Sequence, residues 1–152
     1  MSRITVDVPL RWSDIDAYSH VNNAELLRIL EEARIQAFWV SDDPQRASTA
    51  ILEATPGAGT ATLIARLEIE YLAPIAYQRQ PLRVQMWLSH FGGASLDLCY
   101  EVYDHSESEL YARALTTVVM ADAVTQKPRR VTPEERRAWE PFLGEAPAFR
   151  RR

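Results

Sequence analysis

The sequence predicts one α+β domain: a mostly antiparallel sheet of about five strands curved around a single long helix, with a short helix near the C-terminus. Three observations predict it. Apolar and polar residues alternate with period two in five separate stretches. One stretch only, from about Asn22 to Ser41-Asp42-Asp43-Pro44, is long and carries apolar residues at helical spacing. The order is strand, helix, four consecutive strands, short helix, and strands joined in succession by hairpins pair antiparallel. A chain of 152 residues suits one domain with its own core.

The first strand is read from Ile4, Val6, Val8, Leu10 and Trp12, with Pro9 marking an edge position or a bulge. A polar loop over 13–21 follows. The helix begins at Asn22, a good N-cap, with Glu25 placed as in a capping box. Leu26, Ile29, Leu30, Ala33 and Ala37 form one apolar face, which Leu27, Ile35, Phe38 and Trp39 widen. A helix this apolar is expected to be largely wrapped by sheet. Residues 41–60 are weakly patterned, punctuated by Pro44, Pro56, Gly57 and Gly59, with one helical turn expected around Ser48 to Glu53. A connection this long suits a functional or partly disordered loop.

Four strands come next. Leu63, Ala65, Leu67, Ile69 and Tyr71 define the first, Leu82, Val84, Met86 and Leu88 the second. Leu96, Leu98, Tyr100 and Val102 define the third, and the run from Leu110 to Met120 the last. "HFGGAS" and "YDHSESE" read as hairpin turns. Thr132-Pro133-Glu134-Glu135 is a helix start, with a Thr cap, Pro at the first helical position and Glu two residues later. That helix is expected to run to about Leu143, with a loose tail from about 144.

Composition narrows the function. The chain is 47% hydrophobic and 25% charged, an ordinary globular balance, and its net charge of −4 offers no basic field for nucleic acid. Asp7 and Arg11 interrupt the N-terminal segment, and no stretch reaches the roughly 18 apolar residues of a membrane span, so no membrane partner is expected. Cys99 is the only cysteine, which excludes an intrachain disulfide and suits a reducing, cytoplasmic setting. His90, His105 and Cys99 lack ligand spacing, so no metal is expected.

The densest polar cluster lies in "RWSDIDAYSHVNNAELLRILEEAR", residues 11–34, where a strand ends and the apolar helix begins. This segment resembles the signature of the hotdog-fold acyl-CoA thioesterases, the 4-hydroxybenzoyl-CoA thioesterase-like group. Their pattern is Asp-x-Asp, two residues, Gly-His-Val-Asn-Asn, then a helix rich in Leu and Glu-Ala-Arg. "LEIEYLAPI", "GGASLDLCYEVY" and "VVMADAVTQKPRRVTPEER" resemble the group's later strands, turn and terminal helix, so the likeness spans most of the chain. Ser19 stands where the group has Gly, and Gln78-Arg79 where it has Gly-Asp.

The resemblance implies hydrolysis of an acyl-CoA thioester to a free acid and CoA. A thiol ionises near pH 8.5, so it leaves without a strong general acid. The reaction needs a nucleophile or base, and donors for the charge growing on the carbonyl oxygen. Free N–H groups at a helix N-terminus, aided by its dipole, can be those donors. By resemblance Asp16 is the catalytic carboxylate, as nucleophile or as base for water, and the Asn23 N–H is the oxyanion donor. His20 orients the loop or lines the site. Asp14 is read as structural and Asn22 as the N-cap. Gly93, Ser95, Arg129 and Arg130 are the candidate CoA contacts, the arginines because a guanidinium fork suits phosphate. No cofactor is needed, since CoA is part of the substrate. Residues 41–60, with Phe38 and Trp39, are expected to shape the acyl pocket. Two other readings stand beside this one: a thioesterase for acyl-carrier protein, and a non-catalytic hotdog protein that binds acyl-CoA. The resemblance also implies a homo-oligomer, dimer or tetramer, with the site at the subunit boundary. The Trp87 and Phe91 face is its candidate contact.

Overall fold

The computed structural model describes residues 2–53 and 59–150, so Pro56, Gly57 and the last two arginines of the tail lie outside the described residues. The elements follow the expected order. They are β1 (Ile4–Val8), α1 (Asn23–Phe38), β2 (Thr60–Tyr71), β3 (Leu82–Phe91), β4 (Ser95–Tyr103), β5 (Leu110–Asp122) and α2 (Pro133–Trp139). All neighbouring strands pair antiparallel in the order β1-β3-β4-β5-β2. Together with α1 across the sheet's inner face this is the expected hotdog arrangement. No described helix is long and apolar enough to cross a membrane.

Alternation decides which side chains form the core. Val84, Met86 and Leu88 of β3, Leu98, Tyr100 and Val102 of β4, and Ala112, Ala114 and Met120 of β5 are buried on the inner face. The five residues that spacing marks as the apolar face of α1 are all buried against them, with Phe38 added. At α2, Thr132 accepts the Glu135 N–H at 3.1 Å and the Glu135 carboxylate accepts the Thr132 N–H at 2.9 Å, which makes the capping box reciprocal.

Several expectations are corrected. The β1 ladder stops at Val8, beside Pro9. A 3₁₀ turn (Trp12–Asp14) then swings Trp12 outward, 74% exposed and stacked on Tyr77. Asn22 does cap α1, accepting the Ala24 N–H at 2.8 Å, but Glu25 forms no capping box and lies beside Arg11 and Arg28 instead. The helix is not wrapped: Leu27 and Ile35 remain exposed. In β2 the register slips between Ile64 and Arg66. A residue inserted at a bulge reverses the alternation, so Ile64 and Leu67 face inward opposite Val118 and Thr116, and Leu63 faces outward opposite Val119. Residues 48–53 form a turn rather than a helix. Thr49 donates to the Ala37 carbonyl at 2.5 Å, Trp139 Nε1 donates to the Thr49 carbonyl at 2.9 Å, and Leu52 bridges Trp39.

The described part of the tail is bound, not loose. Gly144 N–H donates to the Leu88 carbonyl at 2.7 Å, Trp87 Nε1 to the Glu145 carbonyl at 2.7 Å, and Arg113 Nη1 to the Ala148 carbonyl at 2.9 Å. The tail thus covers the outer face, and Arg3 stacks over the Trp87 ring at 4.0 Å. Trp87 is 2% exposed, and Arg136 lies over Phe91. The face expected to be a subunit contact is therefore occupied by the chain's own C-terminal segment.

Burial disfavours the Glu135 carboxylate, but the Arg129 fork and the Thr132 amide outweigh it and hold its pKa below the usual range. A group whose pKa is lower folded than unfolded stabilises fully above its unfolded value, and loses that contribution as pH falls through the folded value. Glu135→Gln should therefore cost about 2 kcal/mol at neutral pH. The gap between variant and wild type should close on acidification below about pH 4.5, the ordinary glutamate value. Urea titrations at neutral and acid pH check both statements.

Candidate active site

The loop that carries Asp16 is a small hairpin built on Asp14 and residues 75–76. Asp14 is buried, and its carboxylate accepts the Arg11 N–H at 2.7 Å and Arg11 Nη2 at 3.0 Å. Its carbonyl accepts the Asn22 N–H at 2.8 Å, which ties the loop's entry to the helix cap. Between them Ile15 pairs with Val21, and the Asp16 N–H donates to the His20 carbonyl at 2.9 Å. Val21 N–H donates to the Ile75 carbonyl at 2.8 Å and His20 bridges Ala76, so the hairpin is fixed from its other side. At its tip Ser19 has φ +65°, the left-handed conformation that glycine adopts without strain.

Asp16 Oδ1 accepts the Tyr18 N–H at 2.8 Å and faces the His20 N–H at 3.5 Å. Oδ2 accepts no hydrogen bond among the described residues. The carboxylate is thus anchored by one oxygen and free at the other. At the start of α1, the Asn23 N–H likewise has no acceptor among the described residues, as expected of a first-turn donor.

His20, Val21 and Asn23 line a cleft of about 260 Å³ with Leu26, Tyr71 and Tyr111. Asp16 is not among the lining residues. It stands across the hairpin from His20 and turns back onto its own loop. The sequence marks Tyr71 only as a strand residue. In the structure its hydroxyl donates to the Asn23 carbonyl at 2.8 Å, which joins β2 to the first turn of α1.

Farther along the helix a separate groove lies between α1 and β2. Leu27, Leu30 and Leu67 line its middle, where Arg34 and Thr116 also reach it. Beyond Arg34 it opens into a mostly apolar cavity of about 430 Å³ walled by Phe38, Trp39, Leu52, Ile64, Met120 and Trp139. Phe38 and Trp39 thus line an apolar cavity, as the sequence suggests. So does Leu52 from the long connection.

The CoA candidates lie together at the other end of the sheet. The Val131 N–H donates to the Gly93 carbonyl at 2.9 Å, the Met120 N–H to the Ala94 carbonyl at 2.8 Å, and Arg129 Nη2 to Thr60 at 3.1 Å. Ser95 opens β4, and its carbonyl accepts the Gly92 N–H at 2.7 Å. Gly93 and Arg130 are exposed. The Arg129 fork is already filled by Glu135, at 2.9 and 2.7 Å. Arg136, not singled out in the sequence, reaches this turn by donating to the Gly92 carbonyl at 2.9 Å. These residues sit at the Thr60 end of β2, whereas Asp16 and Asn23 sit at its Tyr71 end. The strand has 12 residues, which separates the two groups by roughly 36 Å. Burial, opposed by a hydrogen bond from Ser89, pushes the Cys99 thiol up to about 11, so it stays an inert core group.

Residues 10–140 match the family model described as the thioesterase-like superfamily. The chain is 31% identical over 120 residues to the long-chain acyl-CoA thioesterase FadM of Escherichia coli (strain K12), an alignment covering 79% of this chain and 84% of that one. Among solved structures, a Thermus thermophilus thioesterase complexed with coenzyme A and Zn superposes with a TM-score of 0.68. It is 25% identical, and 91% of this chain and 92% of that one are covered. A predicted thioesterase of Bacillus stearothermophilus has a TM-score of 0.74 at 18% identity, covering 96% and 100%, and shares the fold.

Ser19 carries a left-handed strain of about 1–2 kcal/mol, of which the greater freedom of unfolded glycine returns part. Ser19→Gly should therefore stabilise the protein by up to about 1 kcal/mol, read as a higher urea midpoint with an unchanged slope.

Proposed function

The chain belongs to the thioesterase-like superfamily, and on that premise we propose that it hydrolyses long-chain acyl-CoA thioesters to the free acid and CoA. The observation that carries this reading is the cleft at the start of α1, where the Asn23 N–H has no acceptor among the described residues and His20 comes from the hairpin that carries Asp16. The Asn23 N–H receives the carbonyl oxygen, and its donation strengthens as that oxygen becomes negative. Asp16 Oδ2 attacks the carbonyl carbon, or takes a proton from the water that does. The C–S bond then breaks, the electron pair leaves on sulfur, and the thiolate takes a proton from solvent. Where Asp16 is the nucleophile, the acyl group it keeps as a mixed anhydride is released as the acid by water; where it is the base, its proton returns to solvent. His20 lines the cleft beside the carbonyl, and its backbone keeps Asp16 in place.

The groove supports a long acyl chain. From Asn23 to Phe38 the helix rises about 22 Å. A chain advancing about 1.3 Å per carbon, from C–C bonds near 1.5 Å, fills that length with about seventeen carbons. We assign the protein to the cytoplasm, where a lone thiol remains reduced.

A homodimer completes the site. No described strand pairs with the outer edge of β2, where Leu63, Ile64, Leu67 and Tyr71 are exposed along 12 residues. Such an edge is a template for another strand. Two copies paired antiparallel about a two-fold axis would set the Thr60 end of one β2 beside the Tyr71 end of the other. The turn around Gly93 and Ser95, with Arg130 and Arg136 of one subunit, then comes near Asp16 and Asn23 of its partner. The CoA phosphates would meet Arg130 and Arg136 there, while Arg129 holds Glu135. Sedimentation at micromolar concentration should give a dimer or a multiple of it. Leu67→Arg should give monomers with little activity, and a monomeric wild type that remains active would remove this assembly.

Asp16→Asn keeps the shape and removes the charge. It should lower kcat by roughly 10²–10⁴ with little change in KM. Asp14→Asn should instead act mainly on stability, because that carboxylate holds the loop. Release of free thiol from a panel of acyl-CoAs measures activity, and circular dichroism checks folding. Wild-type turnover by Asp16→Asn would refute the assignment.

A further inference from the structure

The start of α1 stands clear of β2. The helix packs with β1, while hollows separate it from β2 along its length. Among the described residues one side-chain hydrogen bond crosses that gap: the Tyr71 hydroxyl donates to the Asn23 carbonyl at 2.8 Å. Tyr71 pairs with Ala112 on the last rung of the β2–β5 ladder, and both Tyr71 and Asn23 line the cleft.

The residue type at this position is informative. The alternation that turns Leu67 and Ile69 toward the helix brings Tyr71 to the same face. A phenylalanine would cover the same apolar surface. Tyrosine adds a hydroxyl, and that hydroxyl bonds the residue whose N–H is the free donor of the cleft. The carbonyl does not need it. In the α-helical pattern the Asn23 carbonyl is already the acceptor for the Leu27 N–H. A second donor pins that carbonyl against the end of β2. On the other side, the Asn22 N–H donates to the Asp14 carbonyl at 2.8 Å, and the Asn22 side chain accepts the Ala24 N–H at 2.8 Å. The peptide that carries the Asn23 N–H lies between these ties, so they set its direction.

Aim matters at this donor. The first turn of a helix frays unless something holds it. A hydrogen-bond donor for a growing oxyanion works only when it is held within about 0.5 Å of its productive place before reaction. Burial raises the Tyr71 phenol above its usual range, so the hydroxyl keeps its proton at neutral pH. We propose that Tyr71 is a positioning residue for the thioester carbonyl: its hydroxyl sets the gap between β2 and the start of α1 and thereby aims the Asn23 N–H. This role rests on the thioesterase reading of the cleft. Tyr71 acts through Asn23 and takes no proton or bond of the substrate itself.

Tyr71→Phe removes the oxygen and keeps the ring. On the best acyl-CoA, kcat should fall about tenfold, the scale of one hydrogen bond. KM should stay within about twofold, because the loss falls on the transition state. In isotope-labelled protein the Asn23 amide resonance should move in the variant, while the amides of β3 and β4 keep their positions. A kcat within about twofold of the wild type overturns the proposal, as does an Asn23 resonance that stays in place. A fall in kcat that comes with a lower thermal midpoint and shifts across the whole sheet also overturns it, since Tyr71 would then act through the fold at large. If the wild type releases thiol from no acyl-CoA, the thioesterase reading fails. A displaced Asn23 resonance would still uphold the tie from Tyr71, and an unmoved one would overturn it.

Discussion

One helix cannot cover five strands. Strands spaced about 4.8 Å apart make a sheet roughly 20 Å across, and a helix with its side chains is about 10 Å wide. Here α1 packs closely with β1 and over the middle of the sheet, and what it leaves uncovered is the inner face of β2. Three hollows lie along that uncovered strip. The cleft at Asn23 and Tyr71, the hollow at Leu27, Leu30 and Leu67, and the apolar cavity at Phe38 and Trp139 follow one another between the same helix and the same strand. The unpaired edge of β2 borders the strip. A sheet curved around a single helix thus produces a ligand groove and an assembly edge together, and filling one constrains the other.

Rigidity is concentrated at the end of that groove where the reaction is proposed. Asp14 secures the loop's entry, the Ile15 and Val21 pair closes the hairpin, and residues 75–76 hold it from outside. All of these ties are backbone or buried-carboxylate contacts. A helix start can present free N–H groups only if the chain entering it cannot fold over them. The Asn22 side chain caps Ala24 and leaves the Asn23 donor uncovered. The opposite end is organised differently. There the Arg129 and Glu135 pair welds the start of α2 to β2, which frees the neighbouring Arg130 for solvent.

Much of this is legible in the sequence because it depends on periodicity and local chemistry. Spacing alone marks the buried face of α1 at Leu26, Ile29, Leu30, Ala33 and Ala37, and residue types mark the reciprocal cap at Thr132 and Glu135. The β3–β4 and β4–β5 hairpins follow from short connections, whereas the β1–β3 and β2–β5 pairs join strands distant in sequence. What cannot be read depends on contacts distant in sequence or on a single backbone irregularity. The bulge between Ile64 and Arg66 carries no sequence mark, yet it decides that Ile64 rather than Leu63 faces the groove. Trp12 continues the strand alternation on paper and is turned out by the Asp14 clamp. The tail looks unpatterned because its partners are backbone carbonyls and the side chains of Trp87 and Arg113, more than thirty residues away. Arg34 belongs to the sequence motif without a role of its own. Its place in the groove exists only once β2 and β5 are paired. The Asp16 loop is legible through resemblance, which fixes residue types but not that Asp16 turns back on its hairpin.

One residue at the candidate site breaks a local rule. Ser19 occupies a left-handed position where glycine is unstrained. Sequences are locally consistent with their folds except where function requires otherwise. At Ser19 the strain lies at the tip of the hairpin whose turn sets the Asp16 backbone, with the Ser19 N–H donating to the Asp16 carbonyl at 3.1 Å. A rule broken in a remote loop would point only to tolerance. Here it falls on the turn that holds Asp16, the carboxylate proposed to act on the thioester.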